Sequence, residues 1–280
     1  MYPILFQFGS FTISSFGVMM VIAFLLGNYL LRKDVVAEGY DPIIADDITF
    51  RAAIGGILGA KLYYLIENIP TGQAADNING LINIIAGIFT LNGERIAFGI
   101  QNFGAGLVFL GGLVGGIGAV SWYIYRKNLN WFKIADLSAP FLVLGHGIGR
   151  IGCFLVGDDY GVPSNLPWAC AFPEGLPPTS IPVHPTQLYE MSAYFIIFFY
   201  LRYRKRNQSF PGEIIFEYLF LGGFARFMVE FIRTNTKYAF DLSGAQYISI
   251  LMMVIGGYQL WKLRRSINSP IETVSYFKDS

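Results

Sequence analysis

The chain is organised around one segment, which reads GHGIGRIGCFLVGDDYG at residues 145–161 and ends in HPTQLYE at residues 184–190. Both histidines and both cysteines of the protein lie within it. Arg150 and the adjacent acids Asp158 and Asp159 sit at the end of a long apolar run. A charged side chain in lipid costs about 2.5–3.5 kcal/mol on insertion scales and usually serves a function. The segment is therefore the first candidate for a functional site.

The composition is that of a polytopic membrane protein. Of the 280 residues, 54% are hydrophobic and only 14% are charged, whereas soluble chains carry about 25% charged residues. The net charge of +1 gives no sign of nucleic-acid binding. Glycines spaced four residues apart let membrane helices approach closely, and we interpret four such pairs as packing positions. These are Gly55/Gly59, Gly111/Gly115, Gly112/Gly116 and Gly145/Gly149.

Seven apolar runs are close to the ~20 residues that cross a bilayer as a helix, which predicts an all-α polytopic integral membrane protein. They are residues 11–31, 49–67, 104–125, 134–156, 185–201, 213–232 and 244–261. We interpret 1–265 as a single transmembrane helical domain and 266–280 as a short tail. Long connections at 68–103 and 158–183 separate the runs. Within the first, residues 81–90 are too short to span and are expected to be re-entrant or interfacial.

The positions of Lys and Arg predict the orientation. Thirteen of the 20 lie in four segments that seven spans place on one side, and only Arg95 and Lys237 lie on the other. Those segments are 32–33, 126–133, 202–206 and 262 onward. Because short cytoplasmic loops are enriched in Lys and Arg, we expect the N-terminus outside and the C-terminus and tail in the cytoplasm. The connections 68–103 and 158–183 then face outward, near the outer leaflet.

Three arginines are candidates for binding an anionic group. The planar fork of an arginine suits phosphate and stays charged, so Arg150 is either a phospholipid phosphate ligand or the buried partner of an acid such as Asp158. Arg226, Glu230 and Arg233 share one helical stripe, which must face protein or a water-filled cavity. We interpret Arg226 as the ligand of an anionic head group and Glu230 as the residue that orients it or balances its charge. An internal salt bridge is compatible with that role.

The two histidines are candidates for proton transfer. His184 precedes Pro185, a residue favoured at the first helical position, so we expect His184 at a helix N-cap. It is either a general base or a structural residue that holds the loop to the helix. His146 lies one turn before Arg150 and is expected to share its face, with hydrogen bonding between helices as the favoured role.

Three other groups need an interpretation. Cys153, one turn after Arg150, is expected to behave as a small apolar residue rather than a nucleophile. Two adjacent acids are too few for a metal site, so we expect Asp158 and Asp159 to close the arginine network and predict no metal or cofactor. Lys61 lies in the middle of the second run and needs a partner; Glu67 is the nearest acid in sequence.

Four stretches of the chain form a specific pattern. They are GRIGCFLVGDDYG at 149–161, HPTQLYE at 184–190, AR at 225–226 with EF at 230–231 and Arg233, and QYIS at 246–249. With the weaker GAKLYY at 59–64 and FLGG at 109–112, the pattern resembles the bacterial prolipoprotein diacylglyceryl transferases over nearly the whole chain. That family has seven spans with the N-terminus outside.

The resemblance implies an enzyme of the bacterial cytoplasmic (inner) membrane. Members of the family move the diacylglyceryl group of phosphatidylglycerol onto the thiol of a lipobox cysteine in an exported preprolipoprotein, and release glycerol phosphate. Phosphatidylglycerol, the lipobox segment and the lipid bilayer are the partners expected. Arg150, Arg226 and His184 are the expected catalytic residues, with the arginines stabilising charge on the leaving phosphate. The residues expected to bind substrate are Arg150, Asp158, Gly161, Gln187, Tyr189, Glu190 and Glu230.

The chain departs from the family pattern at several positions. Leu110 stands where the family commonly has the histidine of a Phe-His-Gly-Gly motif, Phe16 where it has a tyrosine, and Cys153 where it has an asparagine. Val156 and Asp158 replace a second asparagine and a glutamate.

Two accounts of these departures are open. Either His184 or His146 supplies the base, or the chain uses another acceptor or another anionic donor lipid. A different class of function is a protein that binds or transports an anionic lipid without chemistry. Transport is disfavoured because the sequence shows no internal repeat and no matched pair of interrupted helices.

Overall fold

The computed structural model describes residues 2–8, 11–104 and 106–268, which are mostly helical. The elements in chain order are β1 (Ile4–Phe8), β2 (Phe11–Ser14), α1 (Ser15–Ala37), α2 (Ile43–Glu67), α3 (Gln73–Thr90), α4 (Gly93–Gly104), α5 (Phe109–Arg126), α6 (Trp131–Val156), β3 (Cys170–Phe172), β4 (Thr179–Val183), α7 (Thr186–Lys205), α8 (Glu213–Glu230) and α9 (Gly244–Asn268). Each of the seven predicted runs overlaps one long helix, and the predicted helical class is confirmed. The strands form two antiparallel hairpins, β1–β2 and β3–β4.

Two predicted helix starts are wrong. Residues 11–14 pair with β1 as a strand, and α1 begins only at Ser15, where the Ser14 hydroxyl accepts from the Gly17 N–H at 3.1 Å. Likewise α7 begins at Thr186, so Pro185 and not His184 is the N-cap. His184 lies between β4 and α7, and its backbone N–H donates to the Val162 carbonyl at 3.0 Å.

The connection 68–103 contains two helices rather than one short apolar segment. Residues 81–90 are the second half of α3, an 18-residue helix that packs on α4. The Asn77 amide donates to the Asn102 carbonyl at 2.7 Å across this contact. The connection 158–183 contains the β3–β4 hairpin. The predicted tail 266–280 begins inside α9, and its residues 269–280 lie outside the described residues.

By length and composition, α1 and α6 are the described helices that are apolar enough to cross a membrane singly. The pair α4 and α5, bent by 91°, adds a third candidate if the two are one broken span. Several other helices carry charged residues within their apolar runs, among them Lys61 in α2 and Arg226 in α8. These apolar helices are typical of a membrane protein.

The structure divides into two compact units, one of residues up to Gly39 together with those from Phe132 onward, and one of Tyr40–Trp131. In the second unit, Lys61 of α2 contacts Phe103. Its ammonium donates to the Phe103 carbonyl and lies 4.3 Å from the Phe103 ring centroid. A carbonyl and an aromatic face are thus among the partners that the sequence indicated Lys61 must find.

Glycines set the distance between α2 and α5 in the second unit. A Cβ on Gly59 would lie 2.8 Å from the Gly115 Cα, and one on Gly55 would lie 2.6 Å from the Ala119 Cβ. These contacts confirm the packing role predicted for Gly55/Gly59 and Gly111/Gly115. The same role is wrong for Gly145/Gly149, since a Cβ on Gly145 would meet nothing within 4 Å.

In the first unit, one buried carboxylate aligns α6 with α8. Asp136 of α6 is 1% exposed and accepts from the N–H groups of Gly212 (2.5 Å) and Ile215 (2.9 Å) at the start of α8. From this junction, Arg150 lies 14 residues along α6 and Arg226 lies 11 residues beyond Ile215 along α8. At 1.5 Å per residue these are rises of about 21 and about 17 Å. The two arginines therefore reach a similar height at the far ends of the two helices.

We expect Gly59→Ala to lower the melting temperature of the protein in detergent. The added methyl group must push α5 away from α2, and overpacking of this kind costs about 1–3 kcal/mol. Gly118→Ala is the matched control, because it lies on α5 with nothing within 4 Å of its Cβ, and alanine favours helix over glycine. Equal melting temperatures for the two variants would contradict the close approach.

Candidate active site

The predicted site residues of the first unit meet where the start of α7 faces the ends of α6 and α8. Glu190 of α7 is at the centre and is fully buried. Its Oε2 lies 2.6 Å from Arg150 Nε of α6, and its Oε1 lies 2.5 Å from Arg226 Nη1 of α8. Arg233, just after α8, approaches Oε2 at 3.9 Å. One carboxylate thus holds arginines from two helices and the following loop.

Glu230 is the second buried acid of the cluster. Its Oε2 lies 3.0 Å from Arg226 Nη2, which confirms the salt bridge that the i,i+4 spacing suggested. Asn235 donates to Glu230 Oε1 at 2.5 Å, and Arg233 Nε lies 3.7 Å from Glu230 Oε2. Glu230 is 2% exposed, so it balances the charge of Arg226 from inside the protein.

Asp159 is the third acid, and unlike the other two its side chain is 42% exposed. Its Oδ2 accepts from Arg150 Nη1 at 2.8 Å and its Oδ1 from Arg233 Nη2 at 2.5 Å. The residue has a φ of 62°, a left-handed conformation in which Asp and Asn are enriched. Burial acts to raise the pKa of Asp159, but the charges of Arg233 and Arg150 outweigh it and hold that pKa below its ordinary value. Asp159 therefore stays ionised.

One interpretation of Arg150 left open by the sequence was a buried pair with an acid such as Asp158, and the structure pairs Arg150 with Asp159 and Glu190. The left-handed turn at Asp159 directs the second carboxylate toward the arginines, a feature of the local backbone that residue spacing does not reveal. Burial raises the pKa of Asp158, and the charge of Asp159 adds to this. Asp158 still helps to build the site through its backbone, since its carbonyl accepts from the Gln187 amide at 2.5 Å.

Gly161 lets two backbone segments approach. Its N–H donates to the His184 carbonyl at 2.9 Å, and it bridges Arg233 in an antiparallel pair. A Cβ here would lie 2.8 Å from Thr186 Cγ2 and 3.0 Å from His184 Cβ. The loop after α6 can therefore lie beside the start of α7 only with glycine at this position.

His184 lies at the edge of the cluster in a chain of polar groups. Its Nδ1 is 3.2 Å from the Tyr189 hydroxyl, which accepts a hydrogen bond from the Trp168 indole at 2.7 Å. An indole N–H can only donate, so the Tyr189 oxygen is held in place by Trp168. His184 also joins the loop to α7 through its backbone, as its structural interpretation predicted.

His146 shares the face of Arg150, as expected. Its ring lies 5.6 Å from that of Tyr194 and 6.3 Å from that of Tyr218, on α7 and α8. His146 is nevertheless exposed. The imidazole therefore lies beside aromatic rings of α7 and α8.

Cys153 is 7% exposed, in keeping with its expected apolar role. Its sulfur, an oxygen of Asp158 and one of Asp159 lie within 4.8 Å of one another, so they are potential metal ligands. The guanidinium of Arg150, however, lies 3.6 Å from the Cys153 sulfur. A fixed cation at this distance opposes a second cation, and the group fits a metal poorly.

The departures from the family pattern fall in both units. Phe16 at the start of α1 packs against Gly152 of α6, where a Cβ would lie 3.1 Å from Phe16 Cα. Leu110 is in α5 of the other unit and is 44% exposed.

Sequence reasoning missed three contributors to the site. Trp168 fixes Tyr189, Asn235 fixes Glu230, and the Thr186 hydroxyl donates to the Asp159 carbonyl at 2.6 Å. Thr186 lies in the HPTQLYE motif and could have been noticed. Trp168 and Asn235 lie in loops, and no spacing rule links them to the partners they meet.

Comparisons with known proteins identify the family of the chain. The family model described as prolipoprotein diacylglyceryl transferase matches residues 3–262. The chain is 34% identical to the phosphatidylglycerol–prolipoprotein diacylglyceryl transferase of Clostridium tetani, over 91% of this chain and 95% of the relative. It is 32% identical to that of Aliivibrio salmonicida, over 95% and 89%, and 30% identical to that of Aeromonas hydrophila, over 92% and 89%.

The match covers nearly the whole chain, including every residue of the cluster around Glu190. The resemblance found in the motifs is confirmed, and the chain belongs to the prolipoprotein diacylglyceryl transferase family.

Proposed function

We propose that this protein transfers the diacylglyceryl group of phosphatidylglycerol to the lipobox cysteine thiol of exported prolipoproteins. The relatives named above carry the name of this activity. The observation that carries the proposal is the convergence of Arg150, Arg226 and Arg233 on the buried Glu190, at one end of long apolar helices. Such a cluster suits a lipid whose reacting bond joins a glyceryl carbon to a phosphate.

In this proposal α1, α2 and α5–α9 cross the bacterial cytoplasmic membrane, with the N-terminus outside and the C-terminus in the cytoplasm. The Lys and Arg distribution supports this orientation. The cluster then lies near the outer leaflet, where phosphatidylglycerol and the lipobox segment of an exported protein can both reach it.

In the reaction, the cysteine sulfur attacks the glyceryl carbon that carries the phosphate, as a thiolate. A carbon–sulfur bond forms, the carbon–oxygen bond to phosphate breaks, and its electron pair leaves with glycerol phosphate. Arg150 and Arg226 stabilise the charge that gathers on the leaving phosphate. Both arginines are partly exposed, at 19% and 21% of their side chains, so their outer N–H groups can meet a ligand while Glu190 fixes them from within.

His184 is the residue we propose as the proton acceptor for the thiol. If Nδ1–H donates to the Tyr189 hydroxyl, Nε2 is left unprotonated and can take the thiol proton. Trp168 holds the Tyr189 oxygen and thereby the ring. Gly161 and Gln187 hold the loop that carries Asp158 and Asp159 against α7, which shapes the substrate-binding surface.

The first experiment is a transfer assay. Purified protein in detergent receives phosphatidylglycerol with labelled chains and a lipobox peptide, and the peptide mass is then measured. We expect a gain of one diacylglyceryl group, and no gain with a Cys→Ser peptide. If folded protein binds the lipid but never modifies the peptide, the proposal fails for this acceptor. Leu110 in place of the family histidine is the observation that favours the alternatives. These are another acceptor, another donor lipid, or a protein that binds lipid without catalysis.

Replacement of His184 should separate turnover from binding. We expect His184→Gln to retain phosphatidylglycerol binding and to lose about 10²–10⁴-fold in kcat, the usual size of general-base catalysis. Arg150→Ala should weaken lipid binding as well. Retention of full turnover in His184→Gln would remove His184 from the mechanism and shift the proposal to His146.

Replacement of Glu190 should destabilise the fold as well as the site. In Glu190→Gln, Arg150 and Arg226 lose their shared charged partner, and breaking a buried ion pair costs about 3–5 kcal/mol. Thermal melting measures this loss. Asp241→Asn is the control, because its pair with Lys237 is exposed and such pairs contribute about 0–1 kcal/mol. Equal melting shifts would show that Glu190 does not organise the cluster.

A further inference from the structure

Asp159 differs from the other acids of the cluster in being able to leave it. Glu190 and Glu230 are buried, whereas the Asp159 side chain is 42% exposed at the outer edge. Its backbone is fixed, since its carbonyl accepts from the Thr186 hydroxyl at 2.6 Å. A rotation of the side chain alone would therefore carry the carboxylate into solvent without moving the loop.

The carboxylate of Asp159 has the contacts that a phosphate would have. One of its oxygens takes an N–H of Arg150 at 2.8 Å and the other takes an N–H of Arg233 at 2.5 Å. Two oxygens of a phosphate accept from guanidinium groups in the same way. The charges are balanced in this state, with three arginines facing Glu190, Glu230 and Asp159.

Arg233 also has donors that no described residue uses. Its Nε and Nη1 are buried and make no hydrogen bond among the described residues, and their nearest carboxylate oxygens are 3.7 and 3.9 Å away. A buried donor without a partner costs free energy that a correctly placed acceptor would recover. An anion that entered between Arg150 and Arg233 would bring additional oxygens within reach of these donors.

We propose that Asp159 occupies a phosphate-binding position between Arg150 and Arg233 in the resting protein, and that a phosphate group displaces it. Given the proposed function, that phosphate belongs to the donor lipid before transfer and to glycerol phosphate afterwards. Asp159 then returns to the arginines and promotes release of the product. Asp159 thus weakens the binding of donor and product alike, and speeds the exchange between them.

The test measures anion binding directly, so it does not depend on transferase activity. Titration calorimetry in detergent compares the wild type with Asp159→Asn, using inorganic phosphate and glycerol 1-phosphate. Asparagine also accepts a left-handed backbone, so the variant keeps the turn. If Asp159 holds the arginines in about nine molecules of ten, its removal should lower Kd about tenfold. A second arm repeats the titration with phosphatidylglycerol in detergent micelles, and comparison of its Kd with that of the free phosphates separates a lipid phosphate from a free one.

Two control variants separate displacement from a general change of charge. Glu174→Gln removes an exposed acid from the same outer loop and should leave Kd unchanged. Asp158→Asn removes the carboxylate of the preceding residue. The Asp158 carboxylate has no ion pair with the arginines among the described residues. A gain in affinity that is confined to Asp159→Asn supports the proposal. An unchanged or higher Kd in Asp159→Asn, or an equal gain in Asp158→Asn, overturns it.

The proposed function and this inference fail in different ways. If the wild type shows no transfer but Asp159→Asn binds glycerol 1-phosphate more tightly, the transferase proposal is wrong and the proposed displacement of Asp159 is supported. In an active enzyme, Asp159→Asn should also show about tenfold stronger inhibition by glycerol 1-phosphate, in step with the lower Kd.

Discussion

The site depends on one buried carboxylate. Glu190 accepts from Arg150 of α6 and Arg226 of α8, so three helices are joined at a point where none of the three side chains could be buried alone. An unpaired charge in a low-dielectric interior is strongly unfavourable, and a pair is tolerated only with close geometry and further hydrogen bonds. The cluster provides these through Glu230, Asn235 and the approach of Arg233. The same contacts that make the charges tolerable also fix two guanidinium groups side by side.

The rest of the first unit keeps these groups in register. Asp136 joins the starts of α6 and α8, so Arg150 and Arg226 arrive at a similar height. At the other end, Gly161 lets the loop after α6 lie beside the start of α7. The loop brings Asp159 to the outer edge of the cluster and His184 beside Tyr189. A rigid interior with an exposed rim suits a site that must accept a large charged head group and later release its phosphate.

The boundaries of several elements were predicted less well than their existence. Seven of the long helices follow from apolar runs near the length of a bilayer span, but the run that predicts the first helix also includes β2, which reads FTIS. Its strand conformation depends on pairing with β1. The start of α7 moved by one residue because His184 pairs with Val162. Contacts with distant segments decide both cases, and a local pattern does not contain them.

The sequence by itself determined the helical class, the family and the charged residues that must find partners, because apolar run length, motif spacing and the cost of a charge in lipid are local or compositional properties. It placed Arg226 and Glu230 together because one helical turn separates them. The tertiary structure alone decided that Arg150 pairs with Asp159 and Glu190 rather than Asp158, and that Trp168 supports Tyr189. Those pairings depend on a left-handed turn and on loops folded across 20 or more residues, and the direction in which such a backbone points each side chain is set by packing.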